Sequence, residues 1–161
     1  MQLSREPLIT EDTIRQRVRE LANAIRRAYD GRELAVVVVL KGSFIFAADL
    51  MRALSMPCSV SFVRAQSYDG TRSNGHVRIT LEPEGSIEGK HVLVVEDILD
   101  TGLTVAAILE CVKAHKPASL ALCALLDKPA RRTVPLSADY VGFEINNHFV
   151  VGYGLDFEEQ Y

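Results

Sequence analysis

Hydrophobic residues in this chain follow two rhythms, and their alternation predicts an α/β fold. Ile14, Val18, Leu21 and Ile25 recur at helical spacing and mark the buried face of a first helix, which Gly31 ends. "ELAVVVVL" follows with no polar alternation, as expected of a strand covered on both faces. It ends in Lys41-Gly42-Ser43, and "FIFAADLMRAL" then reads as a helix with Ser43 as its cap. "CSVSFVRA" and "HVRITL" alternate, predicting two strands with one less buried face each. The polar stretch "QSYDGTRSNG" between them, anchored only by Tyr68, is expected to be a long loop in an antiparallel ribbon.

The second half repeats the rhythm. "HVLVV" is a doubly buried strand expected to stop at Glu96, and Val105, Ile108, Leu109 and Val112 mark the inner face of the next helix. "SLALCALL" is a further buried strand. From "DYVGFEINNHFVVGYGLDFEEQY" we expect short strands and glycine kinks but no helix. The whole predicts one domain, 1–161, with a mainly parallel sheet flanked by helices as its core (about 13–128). A small cap over the carboxyl ends of the strands is expected from the N-terminal residues and about 129–161.

Composition narrows the function without naming it. At 161 residues, 48% hydrophobic and 24% charged, the chain can bury an ordinary globular core without a second domain. A net charge of −3 argues against a general nucleic-acid or membrane-surface binder, so small anions must be drawn by local geometry. Cys58, Cys111 and Cys123 are odd in number, lack metal spacing and lie in apolar segments, so buried free thiols are expected. No signal-like start and no membrane-length apolar run is seen, and a cytoplasmic location is expected.

The chemistry concentrates in "VLVVEDILDTGLTV", Val92 to Val105. The buried strand is followed by Glu96, Asp97 and Asp100, then by Thr101-Gly102-Leu103-Thr104, where a helix begins. In open α/β sheets ligands bind at such strand ends, and the first helical amides favour an anion. Thr101 and Thr104 add hydroxyl donors. Carboxylates repel phosphate, so Glu96 and Asp97 must serve something else: sugar hydroxyls, or a divalent metal held through water. A phosphorylated ribose satisfies both halves. "LKGS", Leu40 to Ser43, repeats the logic and could hold a second anion. Neither G-x-x-x-x-G-K-[ST] nor G-x-G-x-x-G occurs.

"VVEDILDTGLT" resembles the phosphoribosyl-pyrophosphate motif of the type I phosphoribosyltransferases, and "VGFEINNHFVVGYGLDFEEQY" is similar to the C-terminal cap of their hypoxanthine-guanine branch. The resemblance implies transfer of 5-phosphoribosyl from phosphoribosyl pyrophosphate to hypoxanthine or guanine, with Mg2+ as cofactor. It makes Lys41-Gly42 the pyrophosphate loop, with a cis bond expected between Leu40 and Lys41. It makes Ser67 and Tyr68 part of a mobile catalytic loop, and Asp156 part of the magnesium-pyrophosphate end with Glu96 and Asp97. Lys128, by itself an ordinary solvated lysine, becomes the reader of the purine 6-oxo group. Phe149, by itself a core residue, becomes a stacking face for the purine, with Val150 contacting it through backbone groups. Asp100 becomes the candidate general acid/base for the purine ring.

Arg131 and Arg132 are expected to be surface charges. His148 stands where many relatives have lysine, and the contact made in many by an arginine beyond the position of Tyr161 is expected to be missing or replaced here. A homo-oligomer, dimer or tetramer, is expected, with no nucleic-acid or membrane partner. Two alternatives are a xanthine-preferring transferase and a non-catalytic nucleic-acid-binding regulator that senses phosphoribosyl pyrophosphate.

Overall fold

The computed structural model describes residues 6–67 and 76–156. Helix α1 (Glu11–Ala28) is capped by Thr10, whose side-chain oxygen accepts from the Thr13 amide, and it buries Val18, Leu21, Ala22 and Ile25. Strand β1 (Leu34–Leu40) leads to α2 (Phe44–Leu54), and β2 (Cys58–Ser67) pairs antiparallel with β3 (Val77–Leu81) as the expected ribbon. Strand β4 (His91–Leu99), α3 (Leu103–Ala114) and β5 (Ser119–Asp127) follow. A single 3-10 turn (Pro129–Arg131) then precedes β6 (Tyr140–Glu144).

The six strands form one sheet in the order β3-β2-β1-β4-β5-β6, parallel except at β2-β3. Side chains alternate across it. Val36, Val38, Leu93 and Val95 pack with α1 and α2 on one face, while Val37, Val39, Val92 and Val94 pack with α3 on the other. Both faces are covered, which explains the uninterrupted apolar runs of β1 and β4. After β1 the chain turns to β2 on one side, then returns to β4 on the other. The carboxyl ends of β1 and β4 thus flank the topological switch point, where such sheets open a crevice.

Three expectations need correction. β4 does not stop at Glu96: it pairs with β5 through Leu99, because Glu96, Ile98 and Leu99 keep the ladder despite the charges in the segment. Tyr140–Glu144, expected in the cap, pairs parallel with β5 and forms an edge of the main sheet. Only Cys123 is fully buried, with its thiol pushed up to about 12 by burial; Cys58 and Cys111 are half-buried. Past Glu144, Val150 and Leu155 line one small apolar cleft together with Pro7, Leu8 and Ile9. The two ends of the described chain therefore meet over β5.

Candidate active site

The crevice is built from two strand-to-helix turns. At the first, the peptide bond between Leu40 and Lys41 is cis, as the resemblance implied. Ser43 does not cap α2 with its side chain. Its hydroxyl instead donates to Glu96 Oε1 at 3.1 Å, tying the start of α2 to the end of β4. Gly42 lies against Asp97: a Cβ there would stand 1.8 Å from Asp97 Oδ2. Only glycine permits that approach. Gly154 closes on the same loop, since a Cβ on it would stand 2.4 Å from the Gly42 carbonyl oxygen. The segment leading into Asp156 is thereby brought to the first turn.

Glu96 is 6% exposed and its Oε1 also accepts from the Asp97 amide at 2.9 Å. Burial, reinforced by the adjacent Asp97 charge, holds its carboxyl well above the usual carboxylate range. Asp97 Oδ1 accepts from the Ile98 amide at 2.6 Å, which aims Oδ2 towards Gly42. Among the described residues no three His, Cys, Asp or Glu side chains gather into a complete metal cage. Two neighbouring carboxylates still suit magnesium, which commonly binds through one or two acids plus substrate phosphates and keeps several waters.

At the second turn Gly102, at φ +89, sits at the N-cap of α3 without a side-chain cap bond. The first amides of a helix lack intrahelical acceptors, so Leu103, Thr104 and Val105 present an anion-binding end. The Leu103 amide makes one long contact, 3.4 Å, to Thr101 Oγ1. Asp100 stands at the rim, with its Oδ1 accepting from Arg131 Nε at 2.9 Å.

Lys128 is not a solvated charge. It is 6% exposed, and its backbone amide donates to the Leu99 carbonyl at 2.9 Å, so the turn after β5 is stitched to the end of β4. Phe149 is not core: it is 61% exposed, whereas Val150 packs partly against the core beneath. Ser67 is exposed at the last position of β2; Tyr68 lies outside the described residues.

Arg131 is an exposed surface charge as expected, but Arg132 is not. Arg131 pairs with Asp100, and the half-buried Arg132 pairs with Asp127 and three backbone carbonyls. A double arginine after a strand looks like a solvated face, and the Leu99 and Asp100 carbonyls that hold Arg132 lie more than 30 residues away. The Ser43-Glu96 bond spans 53 residues and left no local signal either. Gly152-Tyr153-Gly154 was visible only as a kink.

A parallel sheet with a phosphate-type helix start and a carboxylate pair at its switch point defines a nucleotide- or sugar-phosphate-handling class. Residues 9–158 match the phosphoribosyl transferase domain, and the chain belongs to the phosphoribosyltransferase family. Among its relatives within that family are hypoxanthine and hypoxanthine-guanine phosphoribosyltransferases. The Haemophilus influenzae hypoxanthine phosphoribosyltransferase is 44% identical over 96% of this chain and 88% of its own. The Aquifex aeolicus hypoxanthine-guanine phosphoribosyltransferase is 47% identical over 94% of this chain and 86% of its own. The crystal structure of a Bacillus anthracis hypoxanthine-guanine phosphoribosyltransferase superposes with a TM-score of 0.91 at 44% identity, covering 98% of this chain and 91% of that one. The Trypanosoma cruzi hypoxanthine phosphoribosyltransferase in complex with the product IMP gives 0.91 at 44% identity, covering 100% and 91%.

Proposed function

We propose that this chain transfers the 5-phosphoribosyl group from phosphoribosyl pyrophosphate to hypoxanthine or guanine in purine salvage, releasing pyrophosphate and IMP or GMP. The observation that carries this reading is the contact of Gly42 with Asp97 at the switch point, beside the start of α3. It joins a pyrophosphate-type loop, a carboxylate pair and a phosphate-type helix end in one crevice. Relatives named for hypoxanthine and hypoxanthine-guanine weigh against the xanthine-preferring and regulatory alternatives.

In this reading the α3 amides with Thr101, Gly102, Leu103 and Thr104 hold the 5-phosphate. Glu96 and Asp97 accept from the ribose hydroxyls or hold a metal through water, and Asp156 joins them at the pyrophosphate end. Magnesium, when bound, neutralises charge on the departing pyrophosphate. The Lys41 and Gly42 amides share that task, with Ser67 and Tyr68 closing over it. Lys128 donates to the 6-oxo group, Phe149 offers a stacking face and Val150 contacts the base through backbone groups. The C1′–oxygen bond to pyrophosphate breaks, a bond from C1′ to a purine ring nitrogen forms, and Asp100 takes the ring proton.

The location proposed is the cytoplasm; among the described residues no helix is long and apolar enough to cross a membrane. A homo-oligomer belongs to the same reading, because Val60 and Phe62 stand exposed in alternate positions of β2, an apolar strip that association would cover.

A steady-state panel of hypoxanthine, guanine, xanthine and adenine, on wild type and Lys128→Ala, tests the base assignment. Adenine offers an amino donor where an ammonium needs an acceptor, and sites built on such polar reading reject the wrong partner by roughly 10⁴ or more. Adenine turnover comparable to hypoxanthine would refute the reading.

A further inference from the structure

We propose that Arg132 is a positioning residue that fixes the base-reading turn at Lys128 relative to the phosphate cradle at Asp100–Gly102. This rests on the proposed function, in which one ligand must engage both. Three segments meet on its guanidinium. Nη1 donates to the carbonyls of Leu99, at 3.1 Å, and of Asp100, where β4 gives way to the cradle. Nη2 donates to the Asp127 carboxylate, one residue before Lys128. Nε donates to the Leu136 carbonyl at 2.8 Å, in the connection to β6.

The stem of the side chain also contributes. A Cβ built on Gly102 would stand 3.1 Å from Arg132 Cδ and 2.8 Å from Val134 Cγ2, so the arginine and its neighbours pack on the back of the cradle. The adjacent backbone follows suit, with the Thr133 amide donating to the Thr101 carbonyl at 3.0 Å.

This arrangement suits a guanidinium and no other side chain. Its donors point in several fixed directions within one plane, so it can hold two carbonyls of one strand end and a carboxylate of the next at once. A lysine supplies charge but not the fork. Both Arg132 and Asp127 side chains are only 13% exposed, so the pair is shielded from solvent.

The consequence is specific to ligands that span both sub-sites. IMP carries its phosphate to the α3 end and its 6-oxo group to Lys128. When the two sub-sites are held at a fixed separation, occupying one presents the other at high effective concentration. Ribose 5-phosphate reaches only the cradle and gains nothing from that constraint. Losing Arg132 should therefore weaken IMP and spare ribose 5-phosphate, a split that general destabilisation would not produce.

Calorimetric titration of wild type and Arg132→Met with IMP and with ribose 5-phosphate tests this. The expected result is a loss of about 10–100-fold for IMP with less than about threefold change for ribose 5-phosphate. Because removing one partner of a shielded ion pair can unfold a protein, Arg132→Lys is the second variant. It keeps the charge and most of the stem, and must show the same split. Equal losses for both ligands, no loss for IMP, or failure of both variants to fold would each overturn the proposal by reducing Arg132 to a structural role. Failure of wild type to bind IMP while binding ribose 5-phosphate would instead sink the underlying base assignment before any variant is compared.

Discussion

Gly42→Ala isolates the contact on which the crevice depends. The added methyl would stand 1.8 Å from Asp97 Oδ2 and 2.8 Å from Asp97 Cγ. Non-bonded heavy atoms settle at about 3.5 Å or more, so Oδ2 must retreat by about 1.7 Å. Rotating the carboxylate is the smallest adjustment, but Oδ1 is held by the Ile98 amide at 2.6 Å and would be pulled off it. Gly42 is not among the glycines with positive φ, so alanine carries no backbone strain of its own there. A misplacement of about 1 Å at a reacting centre can cost roughly 10²-fold, or about 2.7 kcal/mol of barrier. We expect kcat/KM for phosphoribosyl pyrophosphate to fall by about that factor, with the melting temperature within a few degrees of wild type. The decisive comparison repeats Gly42→Ala in an Asp97→Ala background. If the clash with the carboxylate is the cause, the alanine penalty should shrink there to under about threefold, as coupled neighbours behave in a double-mutant cycle. A penalty unchanged by loss of Asp97 would refute the reasoning and move the cause to the loop backbone or to Gly154.

Two further substitutions separate chemistry from binding. Asp100→Asn keeps the shape of the side chain but cannot exchange a proton, so the single-turnover rate should fall by roughly 10²–10⁴ with donor affinity largely retained; an unchanged single-turnover rate would leave Asp100 as a partner of Arg131 and a sugar contact. Phe149→Ala should raise the purine KM by about 5- to 150-fold, from a stacking worth of about 1–3 kcal/mol, while the 61% exposure of the ring predicts little change in melting temperature; a large drop in thermal stability with unaltered purine KM would return Phe149 to a packing role.

The sequence carried the parts of this site that are local. Two apolar runs without alternation announced strands buried on both faces, and the acids and threonines after the second announced a ligand end. Both follow from a few consecutive residues. What stayed hidden depends on strand order. Arg132 sits in a charged stretch that looks like a solvated face. Its burial follows only once β5 pairs beside β4 and sets the Leu99 and Asp100 carbonyls above it. Ser43 looked like a helix cap for the same reason, since the switch point brings Glu96 within reach of its hydroxyl and offers a better acceptor. The extension of β4 through Glu96 was masked by charge, because a carboxylate inside a strand breaks the apolar pattern without breaking the ladder. Tyr140–Glu144 reads as part of the cap, and only its pairing with β5 makes it an edge strand.

The electrostatics of the crevice explain how a chain of net charge −3 can serve a polyanionic donor. In the proposed reading the anion-binding work falls to backbone amides at the starts of two helices, which carry no formal charge and need no basic surface. The acids are set apart, with Glu96 buried behind Ser43 and Asp97 laid over Gly42. Burying the Glu96 carboxylate beside the Asp97 charge is unfavourable in the absence of a complement, and the raised position of Glu96 expresses that deficit. Hydroxyl donors of a ribose, or a cation arriving with pyrophosphate, supply the complement that phosphate alone cannot. Free phosphate therefore satisfies only the amide half of the crevice, whereas a phosphorylated sugar carrying a diphosphate satisfies both. In the same reading, selectivity for the donor over the abundant inorganic anion follows from placing the acids within a few residues of the amides while aiming them at different atoms of one ligand.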